Sequence, residues 1–336
     1  MKKLASCITY AVMASLALSA AANADEIREH KMKLGYALKE DHPQGLSAKK
    51  FAELIAQKSG GKMTLRAYGN SMLGDDKQMI GALQGGVQQF SIQATSPLVG
   101  TVKDFGMLDF FFLFSSEKQA DAVLDGPVGQ KLLAKTQEKG LVGLAFLENG
   151  FRNVTTNKRP ITRLEDLQGL KIRVMQSPVF IESLQQLGAN PTPLAFSELY
   201  TALETSTVDG QENPCAIVET SKFTEVQKFY SITNHVYNSF VLNASKKWWD
   251  KLNPSEQKII RDAALETRDY HRKVSRENDA KCVANLQAQK MQVNKLVPAE
   301  LSRMREKVKS VVDKFGKEYD PALLKEFMAA IDAAAK

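Results

Sequence analysis

This sequence is poor in the residues and motifs of catalysis. Its four histidines (His30, His42, His235 and His271) are scattered without metal-ligand spacing, and none of its three cysteines forms a C-x-x-C pair. There is no G-x-x-x-x-G-K-[ST], no G-x-G-x-x-G after a strand, no G-x-S-x-G and no H-E-x-x-H. These absences count against an enzyme, though a nucleophile–base pair could still meet in space, and no cofactor or metal is expected. Past residue 24 there is also no apolar run long enough to cross a membrane.

The first 24 residues have another purpose. Met1-Lys2-Lys3 is a positive n-region, residues 4–20 are largely apolar and small, and Ala22-Asn23-Ala24 is an A-x-A site before acidic Asp25. That is a cleavable secretory signal, cut after Ala24, and the mature protein is expected in the periplasm. Leu4-Ala5-Ser6-Cys7 precedes the apolar region, so it is not a lipidation box. Losing Lys2 and Lys3 lowers the formal charge from +7 to +5. A modest positive charge suits anionic partners, and export makes nucleic acid an unsuitable one. Cys7 leaves with the signal. Cys215 and Cys282 remain, too few for a disulfide framework, and their helical, core-like settings favour buried thiols over a bond.

The mature chain is long enough for two domains. Strand-like KMKLGYA (31–37), KMTLRAY (62–68) and QQFSIQA (88–94) alternate with helix-like 47–61 and 75–86. That order indicates an α/β fold with a largely parallel sheet. Residues 118–140 read as two short helices broken at Gly126-Pro127, and LVGLAFLE (141–148) as a continuous apolar strand. NVTT, KIRV, FYSITNH and YNSFVLNA follow as further strands, with helices between KIRV and FYSITNH. From Pro254 to about residue 289 neither glycine nor a second proline interrupts one helical pattern of roughly 50 Å. That exceeds one small domain, so the helix is expected to tie two lobes together. No linker separates them, so the lobes should also share crossing strands.

Binding chemistry concentrates near strand ends, where ligands of open α/β sheets sit. In LKIRVMQSP the alternation puts Ile172 and Val174 on one face and Lys171, Arg173 and Met175 on the other. If both faces of this strand are covered, Arg173 is costly unless an anion pairs with it. That anion could be a ligand carboxylate, or a structural partner such as Glu148 or Glu212. Arg152 lies just beyond strand 141–148, and Gln211, Glu212 and Asn213 sit in the polar stretch TVDGQENP. Arginine offers a fork that matches a carboxylate, and an asparagine amide can bind the same ligand or orient the arginine. The alternatives are a surface Arg152 and an Asn213 that caps a helix.

The stretch NGFRNVTTNKRPI…DLQGLKIRVMQSPVFIESLQQLGANPTPLAFSELYTALETSTVDGQENP, with GNSMLGDDKQMIGALQGG before it and FTEVQKF after it, resembles the DctP-type solute-binding proteins of tripartite ATP-independent periplasmic (TRAP) transporters. The resemblance covers essentially the whole mature chain. It implies a two-lobed periplasmic-binding-protein-like fold with a ligand cleft between the lobes and a long inter-lobe helix. Lobe I would comprise 25–150 plus about 238–275, and lobe II 151–237 plus about 276–336. It also implies a monomer that closes on an organic-acid anion and delivers it to membrane permease subunits. By the same likeness Arg173 clamps the carboxylate, Arg152 and Asn213 line the pocket, Phe196 packs beside the ligand, and Asp76 and Ser96 fall where sialic-acid-binding relatives place polar contacts. Those relatives carry an asparagine where this chain has Ala37, which argues against sialic acid. A second arginine would suit the second carboxylate of a C4-dicarboxylate or the hydroxyls of a uronate or aldonate. C4-dicarboxylate binders often carry lysine at the Arg152 position. With Gln78, Thr95, Glu148, Asn149 and Gln176 nearby, that tilts the reading toward a polyhydroxy acid. An exported enzyme and a ligand sensor feeding a receptor are the competing readings.

Overall fold

The computed structural model describes residues 26–335, so the signal sequence and its cleavage site lie outside the described residues. Among the described residues no helix is long and apolar enough to cross a membrane. Nine strands of the described residues form one sheet: β1 (His30–Tyr36), β2 (Met63–Tyr68), β3 (Phe90–Ala94), β4 (Leu141–Thr156), β5 (Lys171–Val174), β6 (Asn190–Pro193), β7 (Gly210–Asn213), β8 (Phe229–Ser245) and β9 (Gln292–Lys295). Their order is β2-β1-β3-β8-β4-β7-β5-β6, with β9 also on β8. β1 pairs in parallel with β2 and β3, and β5 with β6 and β7. The β-α-β alternation of the sequence produces these two parallel units. Antiparallel β4 and β8 lie between them and join them.

β4 and β8 are each longer than the sequence suggested. LVGLAFLE and NVTT are one strand of 16 residues, and FYSITNH and YNSFVLNA are one of 17. The polar interruptions that looked like strand ends are buried side chains with hydrogen-bond partners inside the fold: Arg152 on Glu212, Asn153 on Tyr230, His235 on Thr233 and Asn238 on Asn149, all four less than 9% exposed. Arg152 therefore lies inside a strand, not beyond one.

The β4–β8 ladder slips register between Glu148 and Gly150, a bulge at Asn149. Gly150 has φ +103, a conformation that side chains disfavour. In a regular strand Asn149 and Arg152, three apart, would point to opposite faces. The bulge lets both reach the same cavity, while Glu148 turns the other way.

The long helix spans Pro254–Ala288, its start fixed by a capping box of Asn253 and Glu256. It crosses from one unit to the other. His271 meets Ser47 (2.8 Å) and the Glu148 carbonyl (2.6 Å). Arg272 pairs with Asp125 at 2.6 Å, and Arg276 with Asp121 at 2.8 Å and Glu148 at 2.6 Å. Further along, Cys282 forms a disulfide with Cys215, at the start of helix Cys215–Thr220. This corrects the expectation of buried thiols. Both cysteines are buried as anticipated, but the helix brings together residues 67 apart, a proximity that spacing does not report.

Candidate functional site

A cavity of about 550 Å3, its mouth included, lies where the two parallel units face each other across β4 and β8. Of the nine residues singled out from the sequence, seven line it: Asp76, Asn149, Arg152, Arg173, Gln176, Phe196 and Asn213.

Arg173 comes from β5, between β6 and β7, and is 2% exposed. Its Nε and Nη2 donate to the Leu194 carbonyl at 3.0 and 2.7 Å. Its Nη1 is buried without a hydrogen-bond partner among the described residues. Burial lowers its pKa to about 10, so it stays charged at neutral pH. The Phe196 ring lies 6.0 Å from the guanidinium, at the outer limit of a cation–π contact.

Arg152 is fully buried and held differently. The β4–β7 pairing sets it beside Glu212, which accepts from Arg152 Nε and, at 2.8 Å, from Nη2. His235 Nε2 is 3.2 Å from the same carboxylate. Burial pushes Glu212 upward, but Arg152 and His235 outweigh it and leave its carboxyl below the usual range. Burial holds His235 below its ordinary pKa. Arg152 Nη1, like Arg173 Nη1, has no hydrogen-bond partner among the described residues. The structural salt bridge considered for Arg173 thus belongs to Arg152. Among the described residues lining the cavity, Arg173 is the guanidinium without a carboxylate bonded to it.

Acceptors complete the lining. Asn149 Oδ1 and Asp76 Oδ1 are buried and unpartnered. Burial, reinforced by Asp75, pushes Asp76 up to about 7 against the pull of Arg173. The Asn213 amide donates to Gln211 Oε1.

Ser96 and Glu148 do not line the cavity. Ser96 lies behind it, donating to Asp109 at 2.6 Å, because the chain turns into a 3-10 helix after β3. Glu148 is turned by the bulge toward the long helix, where it accepts from Arg276 and Tyr237. Two members of the polar neighbourhood are also occupied elsewhere: Gln78 closes the capping box with Asp75, and Thr95 accepts from Asn238. Sequence reasoning missed Gln44, Lys77, Met175 and Phe240 in the lining. Only Met175 carried a signal, sharing its strand face with Arg173.

The model of the family "Bacterial extracellular solute-binding protein, family 7" (DctP) matches residues 34–318. The chain belongs to this family. It is 36% identical over 276 residues to the 2,3-diketo-L-gulonate-binding periplasmic protein YiaO of Escherichia coli, covering 82% of this chain and 84% of that one. It is likewise 36% identical over 272 residues to the C4-dicarboxylate-binding periplasmic protein DctP of Rhodobacter capsulatus, covering 80% of each. The crystal structure of the sugar acid binding protein DctPAm from Advenella mimigardefordensis, in complex with galactonate, superposes with a TM-score of 0.90 at 41% identity, over 92% of this chain and 99% of that one. This is a TRAP-type solute-binding protein with the two-lobed α/β fold of its relatives, and not an enzyme.

Proposed function

We propose that this protein captures a sugar monoacid, such as an aldonate or uronate, in the periplasm and hands it to the membrane subunits of a TRAP transporter. One observation carries the reading: two buried guanidinium nitrogens without partners, Arg152 Nη1 and Arg173 Nη1, line one cavity, and Glu212 already neutralises one of the two arginines. The pair offers two donors but one uncompensated charge, which suits one carboxylate. The unpartnered Asn149 oxygen suits a hydroxyl donor and not a second carboxylate, and Asp76, raised to about 7 and so partly ionised at neutral pH, adds to that preference as pH rises. Phe196 packs against the ligand, Gln176 and Asn213 supply further polar contacts, and Ser96 and Glu148 act from behind the lining. The structure superposed at 41% identity holds galactonate, which supports a sugar acid, while the relatives at 36% identity include both a keto sugar acid binder and a C4-dicarboxylate binder. The lobes assigned from the sequence, 25–150 plus about 238–275 and 151–237 plus about 276–336, close on the ligand as a monomer.

Thermal unfolding of the mature protein, refolded to remove carried-over ligand, tests this against aldonates, uronates, C4-dicarboxylates, keto acids and amino acids. A ligand at 100 times its Kd adds about 2.7 kcal/mol, a shift of several degrees. A shift with sugar acids supports the reading. A shift confined to dicarboxylates, or none with any carboxylate, refutes it.

A further inference from the structure

Behind the cavity runs a chain of buried polar side chains that no ligand contact explains. Asn149 Nδ2 donates to Asn238 Oδ1 at 2.9 Å. Asn238 Nδ2 donates to Ser96 Oγ at 3.3 Å and to Thr95 Oγ1 at 3.2 Å. Ser96 Oγ donates to Asp109 Oδ1 at 2.6 Å, and Ser177 Oγ donates to Asp109 Oδ2 at 2.6 Å. Apart from the side branch from Asn238 to Thr95, every link points toward Asp109, which is fully buried and does not line the cavity. Ser177 stands at the N-cap of helix Pro178–Gln186 yet its oxygen accepts no capping bond, and its hydroxyl donates to Asp109.

Burial pushes Asp109 up to about 7; ionised, above that pH, its carboxylate only accepts, so it fixes the sense of a chain that ends on it. Ser96 has one proton, and Asp109 takes it. Ser96 Oγ can then only accept from Asn238, which sets the Asn238 amide with its NH2 toward Ser96 and its oxygen toward Asn149. Asn149 must in turn give its NH2 to Asn238, and its Oδ1 is left facing the cavity, buried and unpartnered. Reversing Asn149 would set two carbonyl oxygens against each other, unless Asn238 reversed too and put its oxygen against the Ser96 oxygen.

We propose that Asp109 is a specificity-determining positioning residue: through Ser96 and Asn238 it makes Asn149 present an acceptor, and so selects a ligand with a hydroxyl at that point. This rests on the sugar-acid reading above, and wild-type binding tests that reading separately. The probe is galactonate with its set of monodeoxy analogues, measured by calorimetry at pH 8.5, where Asp109 is ionised. Asn149→Ala and Asp109→Ala should each weaken galactonate about tenfold, and the double variant should lose no more than either. The analogue to which Asn149→Ala is indifferent should be equally indifferent to Asp109→Ala, which a merely structural defect would not produce. Asp109→Asn, whose carbonyl can still accept from Ser96, should keep binding within about threefold. Should Asp109→Ala fail to fold, Ser96→Ala breaks the same link and should show the same pattern. The proposal is overturned if the losses multiply to about a hundredfold, if every analogue weakens equally, or if Asp109→Ala and Ser96→Ala leave galactonate within twofold. It falls with the sugar-acid reading if the wild type binds no galactonate.

Discussion

Replacing Arg173 with methionine should stabilise the ligand-free protein and damage binding, two effects of opposite sign from one side chain. The guanidinium is 2% exposed and its pKa falls from 12.5 to about 10. At about 1.4 kcal/mol per pKa unit, keeping that charge buried costs the fold about 3 kcal/mol. Methionine keeps most of the stem's volume and removes the charge. It also strips both donors from the Leu194 carbonyl, returning about 1–2 kcal/mol of the gain. The net should be about 1–2 kcal/mol of added stability without ligand, read as a melting temperature higher by a few degrees. Binding should move the other way. A carboxylate deprived of a buried charged partner typically loses ~2–5 kcal/mol, or roughly 30- to 4000-fold in Kd. Arg173→Lys should also bind poorly, because an ammonium cannot donate to Leu194 and the ligand as a fork does. Calorimetry and thermal melts of the same preparations give both numbers. A variant that melts lower without ligand and binds normally would show that Arg173 serves the fold, and the clamp assignment would fail.

Two further outcomes concern the scaffold. The Cys215–Cys282 bond closes 67 residues and ties the helix after β7 to the long helix, so Cys282→Ser should cost about 2–4 kcal/mol; an unchanged urea midpoint would count against the bond. His271 and His42 are buried, which pushes them down to about 4 and about 3. Their folded pKa values lie below the unfolded value near 6.5, so the stability they confer is full above pH 6.5 and is lost as pH falls toward 4. Between pH 6.5 and 5 each should cost about 2 kcal/mol. His271→Gln should flatten that slope in urea titrations at pH 7 and pH 5, and an identical slope would mean other groups set it.

What the sequence revealed and what it hid divide along physical lines. Arg173 was legible in part because strand alternation is local: Ile172 and Val174 fill the core, so the residue between them faces the other side, and burial there follows only from a sheet covered on both faces. The long helix was legible because caps and the absence of breakers are local too. The Arg152–Glu212 pair was not, since it depends on the β4–β7 register, in which Asn153 faces Asn213. That register is a contact between residues 60 apart. Glu148 and Asn149 exchange faces at the bulge, which an extra residue creates and no hydropathy pattern announces. Ser96 sits behind the lining because a 3-10 helix starts at that residue, a turn that strand alternation does not report. The disulfide likewise rests on tertiary proximity alone.

The central claim is that the paired arginines carry one uncompensated charge and so hold one carboxylate. Titrating galactonate and succinate into the same refolded protein, at one pH and one salt concentration, tests it most directly. The account predicts one galactonate per chain, bound at least tenfold more tightly than succinate. Succinate bound as tightly as galactonate or more so would contradict it, because the cavity would then be accepting a second carboxylate opposite Asp76.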